Sequence, residues 1–206
     1  MQERRQWSRL GQTGSMADEL QPRDDPAVLK VAGWIDEAER ITVLTGAGIS
    51  TDSGIPDFRG PQGVWTKNPK AEKASNINNY LDDPDVRRAA WRAKLDSRAW
   101  AAEPNRGHAA LVRLERRRKL VALLTQNVDG LHHAAGSSAD KVIEIHGTLR
   151  EVACLECDYR DDMKIALDRV RSGEEDPPCL ECGGLLKSAT ISFGQKYRMP
   201  LPWPRG

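Results

Sequence analysis

The residues best suited to chemistry fall in three places along the chain, and the cysteines are the most specific of them. All four lie between Cys154 and Cys182, as two C-x-x-C pairs, Cys154-Leu-Glu-Cys157 and Cys179-Leu-Glu-Cys182, with 21 residues between them. Each short knuckle turns two sulfurs toward one point, and two knuckles complete a tetrahedron. Zn²⁺ suits four thiolates because its filled d shell imposes no geometry and it accepts sulfur at ~2.3 Å. Gly183 and Gly184 after the second knuckle permit the tight turn that such a loop needs. Four protein ligands leave no position for water, so the spacing predicts a structural zinc, one per chain. Two redox-active or disulfide-forming pairs are the competing reading of the same spacing.

The second place is Gly46-Ala47-Gly48, which follows the apolar run Ile41-Thr42-Val43-Leu44-Thr45 as a dinucleotide loop would. The usual fingerprint has a third glycine where this chain has Thr51, and the next strand does not end in the ribose-binding acid. A phosphate cradle and a plain structural turn therefore fit the loop equally. The third place is a pair of polar strand ends. Thr125-Gln126-Asn127-Val128-Asp129-Gly130, then Leu131-His132-His133, closes one apolar run, and Glu144-Ile145-His146-Gly147 closes another. In an open α/β sheet, ligands bind beyond the carboxyl ends of the strands. Three polar ends there mark a cofactor site.

The elements that must position these residues follow from periodicity. Ile41–Thr45, Val121–Thr125 and Val142–Ile145 are short apolar runs of strand character. Asp24 and Asp25 precede Pro26, an N-cap followed by proline at the first helical position, and Val28, Leu29, Val31, Ala32, Ile35 and Ala38 repeat at helical spacing. Pro84–Trp100 and Asn105–Arg118 read as further helices, the second capped by Asn105. From Thr51 to Lys70 glycine and proline recur, as in a long mobile loop. Strands alternating with helices predict an α/β fold with a Rossmann-like, doubly wound parallel sheet, interrupted by a small inserted zinc ribbon. Residues 1–25 are expected to be a disordered leader, 26–148 the nucleotide-binding part, 149–188 the zinc module, and 189–206 a return segment with an atypical tail.

Composition narrows the partners. With 31 Lys+Arg against 30 Asp+Glu, the net charge of +1 offers no electrostatic case for nucleic acid or an anionic membrane surface. No run of about 18 apolar residues exists to span a membrane, and Met1–Arg9 lacks the apolar segment of a secretory signal. Clustered cysteines favour a reducing compartment, so a cytoplasmic protein is expected, or a nuclear one in a eukaryote. The run Arg116-Arg117-Arg118-Lys119 suits the negative end of a helix dipole.

Taken together, these motifs resemble the sirtuin (Sir2-like) family over roughly residues 26 to 195. Gly46-Ala-Gly-Ile-Ser-Thr-Asp-Ser-Gly-Ile-Pro-Asp-Phe-Arg-Gly60 is similar to its first motif. Thr125-Gln-Asn-Val-Asp129 with Leu131-His132 is similar to its second, and His146-Gly147 to its third. The four cysteines are similar to its zinc module, and Ile191-Ser-Phe-Gly-Gln195 to the segment lining its peptide cleft. Gly60-Pro-Gln-Gly-Val-Trp65 resembles the branch holding chromatin-associated members and related bacterial proteins.

The resemblance implies an NAD-dependent protein-lysine deacylase. In that chemistry the ribose–nicotinamide bond of NAD breaks, and the acyl-lysine carbonyl oxygen attacks the sugar carbon to give an alkylimidate. A general base then activates a ribose hydroxyl, and water completes the release of lysine and O-acyl-ADP-ribose. His146 is implied as the base, a role imidazole suits because it changes charge near neutrality, and one typically worth ~10²–10⁴-fold. Asn127 and Asp129 are implied as the nicotinamide carboxamide pocket, and Gln126 as a ribose contact. Gly46, Ala47, Gly48 and Ser50 are implied to approach the cofactor; Asp57, Phe58 and Arg59 lie on a mobile loop from which Phe58 is implied to shield the reactive carbon from water, and Trp65 is implied to contact the cofactor. His132 is implied to be structural and His133 to lie at the surface. The family adds further strands carrying phosphate, ribose and adenosine contacts. The tail from Gln195, with three prolines, does not resemble that continuation, so a C-terminally incomplete fold is expected. A non-catalytic remnant that binds ligand or peptide, and a mono-ADP-ribosyltransferase, are the alternatives.

Overall fold

The computed structural model describes residues 25–61, 63–67 and 75–196, except the side chain of Trp65. The chain divides into two units, 1–39 and 40–206. In the first, Asp25 accepts the Ala27 N–H at 2.7 Å and Pro26 opens helix α1 (Pro26–Glu37), as its sequence predicts. The expected leader, apart from Asp25, lies outside the described residues.

The second unit contains two sheets. Strands β1 (Ile41–Thr45), β2 (Leu120–Thr125) and β3 (Val142–Glu144) form a parallel sheet in that order. Thr45 pairs with Thr125 and Thr125 with Glu144, so the three carboxyl ends lie level. Parallel neighbours require crossovers. Helices α2 (Val64–Lys67), α3 (Ile77–Asp82), α4 (Pro84–Leu95) and α5 (Arg106–Arg116) lie between β1 and β2, and α6 (Leu131–Ala134) between β2 and β3.

Helix α5 begins where Asn105 predicts. The Asn105 side chain accepts the Gly107 and His108 amides, and His108 Nδ1 accepts the Asn105 N–H, a reciprocal cap with histidine in the usual Glu position. The helix expected over Pro84–Trp100 instead stops at Leu95. Ser97 accepts the Ala99 N–H and starts a separate 3₁₀ turn, Arg98–Trp100, a local bond that competes with helix continuation. The described part of the Thr51–Lys70 stretch, residues 51–61 and 63–67, is also more ordered than a plain loop. A 3₁₀ turn over Ala47–Ser53 ends at Gly54, whose φ of 81° suits glycine, and α2 follows.

The second sheet is antiparallel, in the order β5-β4-β6, from β4 (Gly147–Cys154), β5 (Arg160–Asp162) and β6 (Leu186–Thr190). Helix α7 (Met163–Arg171) follows β5, with Asp162 as its N-cap. A buried core cluster belongs to this region: Trp91 of α4 joins Val152, Met163, Leu167, Leu186 and Cys179. Each such side chain contributes about 1.5–3 kcal/mol by leaving water. Polar links also tie the crossover helices to it. The Tyr80 hydroxyl of α3 donates to the Leu186 carbonyl at 2.6 Å, and Arg87 of α4 pairs with Asp176 at 2.7 Å. Neither this sheet nor α3 and α7 is anticipated by the sequence reading.

Candidate functional site

The two cysteine knuckles come together. The sulfurs of Cys154, Cys157, Cys179 and Cys182 all lie within 4.8 Å of one another. The closest pairs bridge the knuckles: Cys154 to Cys182 at 3.5 Å and Cys157 to Cys179 at 3.7 Å. A tetrahedron of sulfurs ~2.3 Å from a central zinc has edges of about 3.8 Å, close to these separations. A disulfide needs about 2.05 Å, and all four thiols are free. Backbone amides support the cage, Glu156 N–H donating to Cys154 Sγ at 3.3 Å and Gly184 N–H to Cys182 Sγ at 3.4 Å. The set fits a four-coordinate soft metal with no open position.

The strand ends build a second cluster. Ser50, Asn127 and Asp129 are 1%, 8% and 5% exposed, so their polar groups must find partners within the protein. Ser50 Oγ donates to Asp129 Oδ2 at 2.7 Å, and Asp129 Oδ1 accepts the Leu131 N–H at 2.9 Å. Asn127 Nδ2 donates to the Gly46 carbonyl and to Ser50 Oγ, both at 3.1 Å. Because the Gly46 carbonyl can only accept, the amide orientation is fixed, and Oδ1 remains as its acceptor.

His146 is exposed at the third strand end, with Nδ1 3.0 Å from the Gln126 carbonyl oxygen. The neutral ring must therefore carry its proton on Nδ1, and Nε2 keeps a lone pair able to take one up. Gln126 itself follows β2, its N–H donating to the Thr45 carbonyl at 3.0 Å. His146 and Gln126 are thus one hydrogen-bonded pair, and Gly46, Ser50, Asn127 and Asp129 are a second hydrogen-bonded group, adjoining the first where Gln126 precedes Asn127 in the chain.

Beneath this cluster runs a buried polar chain that the sequence reading does not identify. Thr45 Oγ1 donates its single proton to Thr125 Oγ1 at 2.9 Å, so its 2.9 Å contact with His132 Nε2 has the imidazole as donor. Thr125 Oγ1 also accepts the Asn127 N–H at 3.1 Å. His132 is 2% exposed, and burial, with His108 nearby, pulls its pKa down to about 4. It is a neutral structural histidine. His133 lies 3.9 Å from Glu144, whose carboxyl burial pushes up to about 7. A signal for this chain was present in two threonines closing two paired apolar runs.

Ala47 and Gly48 sit in the 3₁₀ turn rather than at the start of an α-helix, so the loop lacks the helix N-terminus of the usual dinucleotide fingerprint. Asp57, Phe58 and Arg59 lie on the loop beyond. Asp57 Oδ1 accepts the Gly60 N–H at 3.1 Å, and a cavity of about 400 Å³ is lined by Thr51, Ile55, Pro56, Asp57 and Arg98 among others. Phe58 is 45% exposed. The Trp65 side chain lies outside the described residues.

A model of the Sir2 family matches residues 46–201. The chain is 53% identical over 156 residues to NAD-dependent protein deacetylase 2 of Streptomyces coelicolor, a match covering 76% of this chain and 65% of that protein. It is 37% identical over 196 residues to an NAD-dependent protein deacetylase of Haloarcula marismortui, covering 91% and 71%. Among solved structures, a complex of Sir2 with p53 peptide and NAD⁺ is similar at a TM-score of 0.68 and 33% identity, covering 81% of this chain and 64% of that one. The chain spans about two thirds of the length of the relatives it matches.

Proposed function

The chain belongs to the Sir2 family, and from that premise we propose that it acts as an NAD-dependent protein-lysine deacylase. NAD is the co-substrate and, as ADP-ribose, takes up the acyl group, an acyl-lysine in a protein or peptide is the acyl donor, and one structural zinc sits on Cys154, Cys157, Cys179 and Cys182. The parallel sheet is the family's Rossmann-like sheet. In this reading residues 26–148 form the nucleotide-binding part, 149–188 the zinc module and 189–206 the return segment. Among the described residues no helix is long and apolar enough to cross a membrane. The cytoplasm, where thiolates stay reduced, is the proposed compartment.

One observation carries the reading: His146 is exposed beside a buried amide–hydroxyl–carboxylate group, with its Nδ1 fixed on Gln126. That bond leaves Nε2 as the atom that takes a proton from a ribose hydroxyl. Asn127 Oδ1 and the Asp129 carboxylate receive the amide donors of a nicotinamide carboxamide. Ser50 holds these two side chains in register, and Gln126 lies against the ribose. Ala47 and Gly48 approach through backbone, Phe58 shields the reacting carbon from water from the loop that also bears Asp57 and Arg59, and Trp65 is assigned a contact with the cofactor. Bound NAD would supply the ribose–nicotinamide bond whose cleavage makes the sugar carbon an electrophile for the acyl-lysine carbonyl oxygen. The matched relatives are named for this activity, and the similar complex contains both a peptide and NAD⁺.

Incubation of the chain with NAD and an acetyl-lysine peptide tests the proposal. Nicotinamide, free-lysine peptide and O-acetyl-ADP-ribose should appear in equal amounts. NAD cleavage that ignores the peptide, or transfer of ADP-ribose to protein without deacetylation, would contradict it.

A further inference from the structure

The turn that bears Asn127 and Asp129 is suspended from strand β4. The Leu149 N–H donates to the Val128 carbonyl at 2.8 Å, and one residue further along Arg150 Nε donates to the Asp129 carbonyl at 2.9 Å. The same guanidinium sends Nη2 to the Ala99 carbonyl at 3.1 Å and lies 5.3 Å from the Trp100 ring. Two carbonyls from separate segments and one aromatic face therefore converge on a single fixed cation. Gly130 completes the fit. Its φ is +73°, and a Cβ there would lie 3.1 Å from Arg150 Nε, so a side chain at this position would be strained and would crowd the guanidinium.

Arginine suits this place because its planar fork bonds in two directions at once and never loses its charge. Charge-assisted bonds of this kind are about twice as strong as neutral ones. Arg150 stands between His146 and Cys154 on one continuous segment, since β4 begins at Gly147 and ends at a cysteine of the cage.

We infer that Arg150 is a positioning residue that clamps the Asn127–Asp129 turn against β4 and sets how firmly the site holds the nicotinamide end of its cofactor. The nicotinamide half of this statement rests on the deacylase reading; the clamping half rests on geometry alone.

The test uses the whole chain carrying Arg150→Met or Arg150→Lys, with Arg160→Ala, an exposed partner of Glu151, as a charge control. Two quantities are read. Amide hydrogen exchange at Asn127 and Leu131 reports the turn, and inhibition of peptide deacetylation by free nicotinamide reports the pocket. Arg150→Met should speed exchange at those two amides about tenfold while β4–β6 amides and zinc content hold. It should weaken nicotinamide inhibition and raise the KM for NAD by about tenfold, with kcat within about threefold. Arg150→Lys, which keeps the charge but cannot span both carbonyls, should fall between, and Arg160→Ala should match wild type. Unchanged turn exchange in Arg150→Met overturns the clamp. Faster exchange with unchanged nicotinamide inhibition overturns its link to the pocket. If Arg150→Met loses zinc or exchanges globally, Arg150→Lys decides on the same readings. An inactive wild type would instead fail the deacylase reading, and turn exchange would still decide the clamp.

Discussion

The imidazole Nδ1 of His146 lies 3.0 Å from the carbonyl oxygen of Gln126, and because a carbonyl only accepts, that one bond fixes which ring nitrogen is basic. Gln126 is held in turn by the Thr45 carbonyl, so the end of β1 indirectly orients a side chain at the end of β3.

The four-sulfur cage should hold about one equivalent of zinc per chain in the purified protein, measured by metal analysis. Chelation, or Cys157→Ser, should release the metal and loosen the cluster to which Cys179 belongs, seen as lost near-ultraviolet signal from the buried Trp91. Protein free of zinc with native thermal stability would refute the structural assignment.

Gly147 follows His146 and opens β4 with a φ of +71°, and a Cβ there would lie 2.0 Å from the Ala189 carbonyl oxygen. Gly147→Ala therefore strains the backbone and pushes β6 from β4 at once. A loss of at least about 2 kcal/mol in chemical denaturation is expected. By contrast Gly173→Ala, which has open space, should show only the cost of its positive φ. Equal losses in the two variants would mean the β6 contact is unimportant.

The buried His132 predicts a specific acid sensitivity. Its folded pKa is about 4 against an ordinary 6.5, so between those values the unfolded chain binds a proton that the folded one refuses. Stability should therefore fall as pH drops from about 6.5 to 4, by at most about 3 kcal/mol from this group, and this contribution should level off below. His132→Asn, which can still donate to Thr45, should lose that part of the slope in urea melts at several pH values. An unchanged slope would assign the sensitivity elsewhere.

These features differ in how far the sequence discloses them. Ile41–Thr45 is legible because a short run of β-branched and apolar residues ahead of a glycine reads as a strand on its own, and the cysteines because their spacing encodes a geometry. The polar strand ends are legible as a set, since three of them are hard to attribute to solvation. Strand β4 is not: Thr148, Arg150 and Glu151 interrupt its apolar residues, and only Thr148 and Val152 are buried. Lys187 is hidden for a related reason. A lysine in β6 reads as solvent-facing, yet it is 3% exposed because Nζ donates to the Ser188 and Thr190 carbonyls at 3.1 and 2.5 Å. Burial pulls its pKa down to about 7. Arg150 leaves no local trace either, because its partners Asp129 and Ala99 are distant in sequence.

The central claim is that His146 acts as the base after the nicotinamide bond has opened. The direct measurement compares two rates in His146→Ala with wild type, in the presence of NAD and an acetyl-lysine peptide: exchange of labelled nicotinamide into NAD, and formation of deacetylated peptide. Deacetylation should fall by about 10²-fold or more while exchange persists, with zinc content intact and His133→Ala close to wild type. Equal loss of both rates in His146→Ala, or deacetylation that survives it, would contradict the account.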